Sequence, residues 1–175
     1  MRLTRTDVLG LAHALLGGFV AGARGAPTPA PEQTVGCDRI VLQARSGVED
    51  GFRILLDSVS IPGAGHLERD AARAPGRRWP YYRNAGVAIR AGATAVSVSV
   101  PDGWRDRLAL SWGGARPSST VRFAPCAAGA AGVWNAFSGG IHLRAPADCV
   151  PLLVRVGGLS TTVRVGVGRA CGARR

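Results

Sequence analysis

From Cys37 onward, apolar residues recur at every second position, the period of a strand with one buried face. The clearest run is TAVSVSVP, in which Val96, Val98 and Val100 alternate with Ser97 and Ser99. Leu108, Leu110 and Trp112 alternate in RLALSWG, and Val121 and Phe123 in TVRFAP. In GIHLRAP, Ile141 and Leu143 lie opposite His142 and Arg144. Val150, Leu152, Val154 and Val156 form one stripe and Thr161, Val163, Val165 and Val167 another, and the VGGLS between them predicts a hairpin turn. Val87 and Ile89 oppose Arg90, and Ile40, Leu42 and Ala44 oppose Val41, Gln43 and Arg45. Phe52–Ile61 reads as a strand whose period slips at Leu55-Leu56, as a bulge would make it do. Only HLERDAARAPG offers a turn or two of helix, ended by Pro75-Gly76. About nine short strands with one apolar and one polar face need two layers packed face to face. The expected fold is therefore all-β, a two-sheet antiparallel β-sandwich, immunoglobulin-like or similar.

The segment before this pattern reads differently. Arg2 and Arg5 precede a weakly apolar run from Val8 to Ala23, and Ala23-Arg24-Gly25 places small residues where a signal peptidase would cut before Ala26. APTPAPEQ then reads as a Pro-rich extended spacer. The expected organisation is a signal peptide over 1–25, a spacer over 26–36, one sandwich domain over 37–171 and a basic tail over 172–175, with no transmembrane span in the mature chain. A lipoprotein anchor at Cys37 fits poorly, because the spacer separates that cysteine from the apolar run and Thr34 stands three residues before it.

Composition sharpens this. The chain of 175 residues, 46% apolar, has the length for one domain with its own core. The formal charge of +11 comes from 22 basic residues, all arginine, and favours acidic partners. Arginine recurs on the polar side of several strands, at Arg45, Arg90, Arg122, Arg144, Arg155 and Arg164. The arginines are scattered rather than clustered and no nucleic-acid-binding motif is present, so nucleic acid is not the expected partner. Four cysteines in an exported chain point to two disulfides. Of the three connectivities, the nested one is expected: Cys37 with Cys171, tying the chain ends, and Cys126 with Cys149.

No catalytic constellation stands out. A thiol site would need Cys126 or Cys149 free beside His142, against the expectation that both are oxidised. Ser138, His142 and Asp148 lie close in sequence but lack a nucleophile elbow. Among Asp57, Glu68, Asp70, Asp102, Asp106 and Asp148 no carboxylate pair is marked out for glycosidase chemistry. With only His66 and His142 in the mature chain and no C-x-x-C, no metal or other cofactor is expected. Trp112 and Trp134 are expected in the core. The candidate binding surface is Trp79, Tyr81 and Tyr82 of WPYY, together with Arg144 and Arg155.

WPYYRNAGVAIRAGATAVSVSVPDGWRDRLALSWG, followed by VRFAPC, WNAFSGGIHLR, CVPLLVRVGG and VRVGVGRAC, resembles a family of uncharacterised exported proteins from high-GC Gram-positive bacteria. The likeness runs from about Phe52 to Cys171. It implies export and an intact single domain, and supplies no catalytic residue. The functional expectation is a secreted or envelope-associated, non-catalytic sandwich that binds an anionic envelope polymer, a glycan or a protein. The alternative is a hydrolase of envelope polymer or peptide with a Ser/His or carboxylate site.

Overall fold

The computed structural model describes residues 32–47, 51–63, 72–114, 116–127 and 132–172. The expected signal peptide, most of the spacer, the start of the helical turn, His66, Glu68, Asp70 and residues 173–175 lie outside them. The described chain is all-β: fourteen strands in three sheets, with only two short 3-10 turns.

The strands are β1 (Glu32–Val35), β2 (Leu42–Ala44), β3 (Phe52–Leu55), β4 (Val59–Pro62), β5 (Ala72–Arg73), β6 (Tyr81–Asn84) and β7 (Val87–Arg90). They continue with β8 (Val96–Ser99), β9 (Leu108–Trp112), β10 (Thr120–Phe123), β11 (Trp134–Phe137), β12 (Gly139–Leu143), β13 (Asp148–Val156) and β14 (Leu159–Val167). One layer is the five-stranded sheet β1-β10-β8-β13-β14. Facing it are β2-β11-β7-β4-β3 and β5-β6-β12-β9.

These last two sheets form one bent layer. The segments 81–90 and 134–143 run antiparallel in a single register, Trp134 opposite Arg90 at one end and Leu143 opposite Tyr81 at the other. Ala85 N–H donates to the Gly139 carbonyl across the break at 2.9 Å. The break needs glycine: Gly139 has φ +135°, and a Cβ there would overlap the Ser111 carbonyl, while one on Gly140 would overlap that of Arg83. Trp112, wholly buried, donates its indole N–H to the Ala85 carbonyl at 2.7 Å, so the corner leaves no orphan acceptor there.

The apolar stripes meet between the layers as the alternation requires. Val96, Val98, Val121, Phe123, Val150, Leu152, Val154, Val163 and Val165 of one layer pack in the same core as Val59, Ile61, Val87, Ile89, Leu108, Leu110, Phe137 and Ile141 of the other. Phe123 touches Trp112 and Phe137 across the interface, with ring centroids 6.3 and 5.0 Å away. Arg83 shares the inward face and is 3% exposed.

Several expectations are corrected. There are three sheets and fourteen strands rather than two sheets and nine strands, and one pairing, β1 with β10, is parallel. Glu32–Val35, within the expected spacer, is a strand that joins the sheet edge beside β10. Phe52–Ile61 is a hairpin, not a bulged strand: Leu56 and Asp57 both take left-handed backbone, and Ser58 N–H closes the turn onto the Leu55 carbonyl at 3.1 Å. Leu42 is 59% exposed because β2 is a short edge strand. Where the expected helical turn enters the described residues, Ala72–Arg73 is a strand paired with β6.

Both disulfides form, but Cys37 joins Cys126 and Cys149 joins Cys171. Topology dictates this pairing. Parallel β1 and β10 end side by side, Val35 opposite Phe123, and the two cysteines follow those ends. The β13–β14 hairpin likewise brings the start of β13 to the end of β14, with Cys149 opposite Gly166. In the loop-entropy model the closures contribute about 4.5 kcal/mol for the long loop and about 3.5 kcal/mol for the short one. The turn of that hairpin is Gly157-Gly158, as VGGLS predicts.

Candidate ligand-binding groove

The outer side of the bent layer carries an open groove of about 870 Å³, lined by Ala74, Arg77, Arg78, Trp79, Pro80, Tyr82, Arg116, Pro117 and His142. Its floor follows from strand alternation. Ile141 and Leu143 point into the core, so His142 points out; Tyr82, its cross-strand partner on β6, does the same. The two rings meet with centroids 4.7 Å apart. The walls are the 74–80 connection, begun by Pro75-Gly76 and anchored by Ala74 N–H to the Pro80 carbonyl, and the Arg116-Pro117 segment. Arg78 stacks over Trp79 at 4.7 Å from the ring centroid. The described lining contains three arginines and no carboxylate.

Ser111 Oγ lies 2.7 Å from His142 Nε2. Burial pushes the His142 pKa below its ordinary value of 6.5, and the nearby positive charge of Arg77 pushes it the same way. Both effects disfavour the imidazolium, so the ring is neutral at neutral pH. Ser111 is 9% exposed and does not line the groove, so its hydroxyl orients the ring rather than facing a ligand.

Of the residues expected to bind, Trp79 and Tyr82 meet in the groove, and Tyr81, one position over, packs on the core instead. Arg144 and Arg155 are not neighbours. Arg144 follows β12 and approaches Asp106 at 3.6 Å, whereas Arg155 lies on the opposite layer beside Ser97. Sequence reading missed Arg77, Arg78, Arg116 and Ser111. The first two carry a signal, since RRW sets them against Trp79. Arg116 comes from a separate segment that only the fold brings near.

The other catalytic candidates are taken apart. All four cysteines are oxidised. Asp148 is held by Arg107 at 2.9 Å and Arg169 at 3.2 Å. Ser138 lies before the Gly139 bend, outside the strand that carries His142, and the serine hydrogen-bonded to His142 is Ser111 instead. Asp102 pairs with Arg105 at 2.8 Å, and Asp57 sits in the β3–β4 turn. Trp112 and Trp134 are buried, the latter covered by Gly47 and by Arg90 stacked at 5.0 Å. Among the described residues no group of three or more His, Cys, Asp or Glu gathers to hold a metal ion, and no helix is long and apolar enough to cross a membrane.

The chain matches no protein-family model and no curated protein.

Proposed function

We propose that this is an exported, non-catalytic β-sandwich of the bacterial envelope or exterior, and that its groove binds an anionic glycan segment. The observation that carries the reading is the lining: Arg77, Arg78 and Arg116 around Trp79, Tyr82 and His142, with no carboxylate among the described residues. Aromatic faces pack against the apolar faces of sugar rings, and guanidiniums take carboxylate, sulfate or phosphate substituents bidentately. Two disulfides fit an oxidising location. The leader and the resemblance to exported proteins support export.

Retention on immobilised heparin and on teichoic acid tests this. Wild type is retained in low salt and released as salt rises, because screening shortens the reach of exposed charges to about 3 Å at 1 M. Arg77→Gln with Arg116→Gln, and separately Trp79→Ala, weaken retention of short oligosaccharides at least several-fold without lowering the melting temperature. Unchanged affinity in both variants refutes the groove reading.

The Ser111–His142 hydrogen bond favours a second reading, a Ser/His hydrolase. It ranks lower because the hydroxyl does not reach the groove. Labelling of Ser111 by a fluorophosphonate would reverse that order.

A further inference from the structure

The outer face of the five-stranded sheet carries a second constellation, on the layer opposite the groove. Strand register sets Thr34, Arg122, Ser97, Arg155 and Ser160 in one row across β1, β10, β8, β13 and β14. The next row is Glu32, Thr120, Ser99, Leu153 and Thr162. All lie on the side away from the valine stripes. With strands about 4.8 Å apart, the Arg122 and Arg155 backbones stand about 10 Å apart and straddle Ser97. Two shallow concavities of about 380 Å³ each flank the row, and both are bordered by Ser97, Arg122 and Arg155.

The charges are not spent alike. Arg122 is ion-paired with Glu32, an exposed residue of the edge strand. Arg155 makes no ion pair among the described residues. The Arg122–Glu32 pair sets a carboxylate of the chain itself beside this row. Thr120 Oγ1 and Ser99 Oγ are hydrogen-bonded at 3.2 Å, giving a polar, hydroxyl-bearing surface in the row beside the cations. Among the described residues no aromatic ring borders either concavity except Phe123, whose side chain faces the core. Asp102 and Arg105 also border one concavity and pair with each other at 2.8 Å, which leaves Arg155 as the uncommitted cation there. Hydroxyls and guanidiniums without stacking platforms suit a sulfated or carboxylated polysaccharide better than single-stranded nucleic acid, which takes much of its affinity from stacking.

We propose that this row is a second polyanion-binding face, taking an anionic polysaccharide laid across the strands with Glu32 as its built-in competitor, and that one molecule thereby bridges two polymer chains. The sheet-face half stands alone; the bridging half rests on the groove reading.

Calorimetry of the whole domain with a heparin hexasaccharide tests the first half. Arg122→Gln with Arg155→Gln removes one of two binding events and leaves the groove event and the melting temperature in place. Glu32→Gln frees Arg122 and tightens the sheet-face event several-fold. Asp57→Asn is the control: it makes the same change in net charge in a distant turn, and Asn tolerates the left-handed backbone there. Equal tightening by Asp57→Asn and Glu32→Gln overturns the site, as does an Arg122/Arg155 double variant indistinguishable from wild type. If the Arg77/Arg116 variant loses nothing while the Arg122/Arg155 variant loses everything, the sheet face stands and the groove reading falls. A single-stranded oligonucleotide that binds tighter than the hexasaccharide, with the same variant dependence, overturns the polysaccharide assignment. For bridging, light scattering with long-chain heparin should report large assemblies for wild type and single-chain complexes for either double variant. Assemblies that persist in both double variants overturn it.

Discussion

Replacing Trp112 with Phe tests the corner that gives the bent layer its outward-facing floor. The substitution removes the indole N–H that the Ala85 carbonyl accepts at 2.7 Å. Ala85 is 3% exposed, so water cannot replace the donor without opening the core. A buried carbonyl left unpaired costs about 1–3 kcal/mol. The smaller ring also gives up packing at a wholly buried position, roughly another 1 kcal/mol. The expected loss is about 2–4 kcal/mol in urea unfolding. At roughly 4 °C per kcal/mol for a domain of this size, the melting temperature falls by about 8–16 °C.

Location is tested separately. Hydrogen exchange should accelerate first at the two amides beside the corner, Ala85 N–H to the Gly139 carbonyl and Gly113 N–H to the Ser138 carbonyl. A loss below about 0.5 kcal/mol would mean that the carbonyl does not depend on the indole. Uniform acceleration across both layers would mean that Trp112 is general filling and not a corner bond.

Three further outcomes follow from named features. Non-reducing peptide maps should join Cys37 to Cys126 and Cys149 to Cys171; a Cys37–Cys171 peptide would refute the parallel β1–β10 edge, and the paired alanine variants should lose about 4.5 and about 3.5 kcal/mol respectively. Gly139→Ala should fail to fold or lose more than about 3 kcal/mol, since φ is +135° and the new methyl meets the Ser111 carbonyl, and a near-wild-type melting curve would refute the bend. For His142 the folded pKa lies below the unfolded value of 6.5, so below pH 6.5 the unfolded chain takes the proton first. Stability should therefore hold above that pH and decline as pH falls beneath it, until the folded imidazole protonates too, and His142→Gln should flatten the decline.

Most of the scaffold was legible because alternation is a local signal. The runs at Val96–Val100, Leu108–Trp112, Val150–Val156 and Val163–Val167 each carry their own face and need no partner to be read. What failed was long-range or short. EQTV and Ala72–Arg73 are too brief to show a period, and they become strands only through β10 and β6. Missing β1 also spoiled the disulfide pairing, since Cys37 closes the first strand instead of opening it. Leu56-Asp57 holds no glycine, so its left-handed turn left no mark in the sequence. At the groove, Trp79 and Tyr82 announced themselves as neighbours, but Arg116 comes from a distant segment, and Ser111 reaches His142 only because β9 pairs with β12. The same holds for Arg122 and Arg155, thirty-three positions apart in the chain and separated by the single strand β8 in the sheet.

The chain has arginine and no lysine, and this makes pH a means of separating the two proposed faces. Guanidinium stays charged throughout the accessible range, so the fixed cations of both surfaces contribute no pH dependence between about pH 5.5 and 7.5. Within that window histidine is the ordinary titrating side chain. His142 lines the groove, and among the described residues no histidine borders the sheet face. An anion in the groove favours the imidazolium that burial and Arg77 disfavour, so binding there should take up a proton and tighten as pH falls. Binding at the Arg122–Ser97–Arg155 row should stay flat. Salt should weaken both, because both rest on exposed charges. Hexasaccharide titrations at pH 7.5 and 5.5 should therefore show one event that strengthens and one that does not, and His142→Gln should abolish the difference. Two events that respond identically to pH would mean that His142 does not meet the ligand.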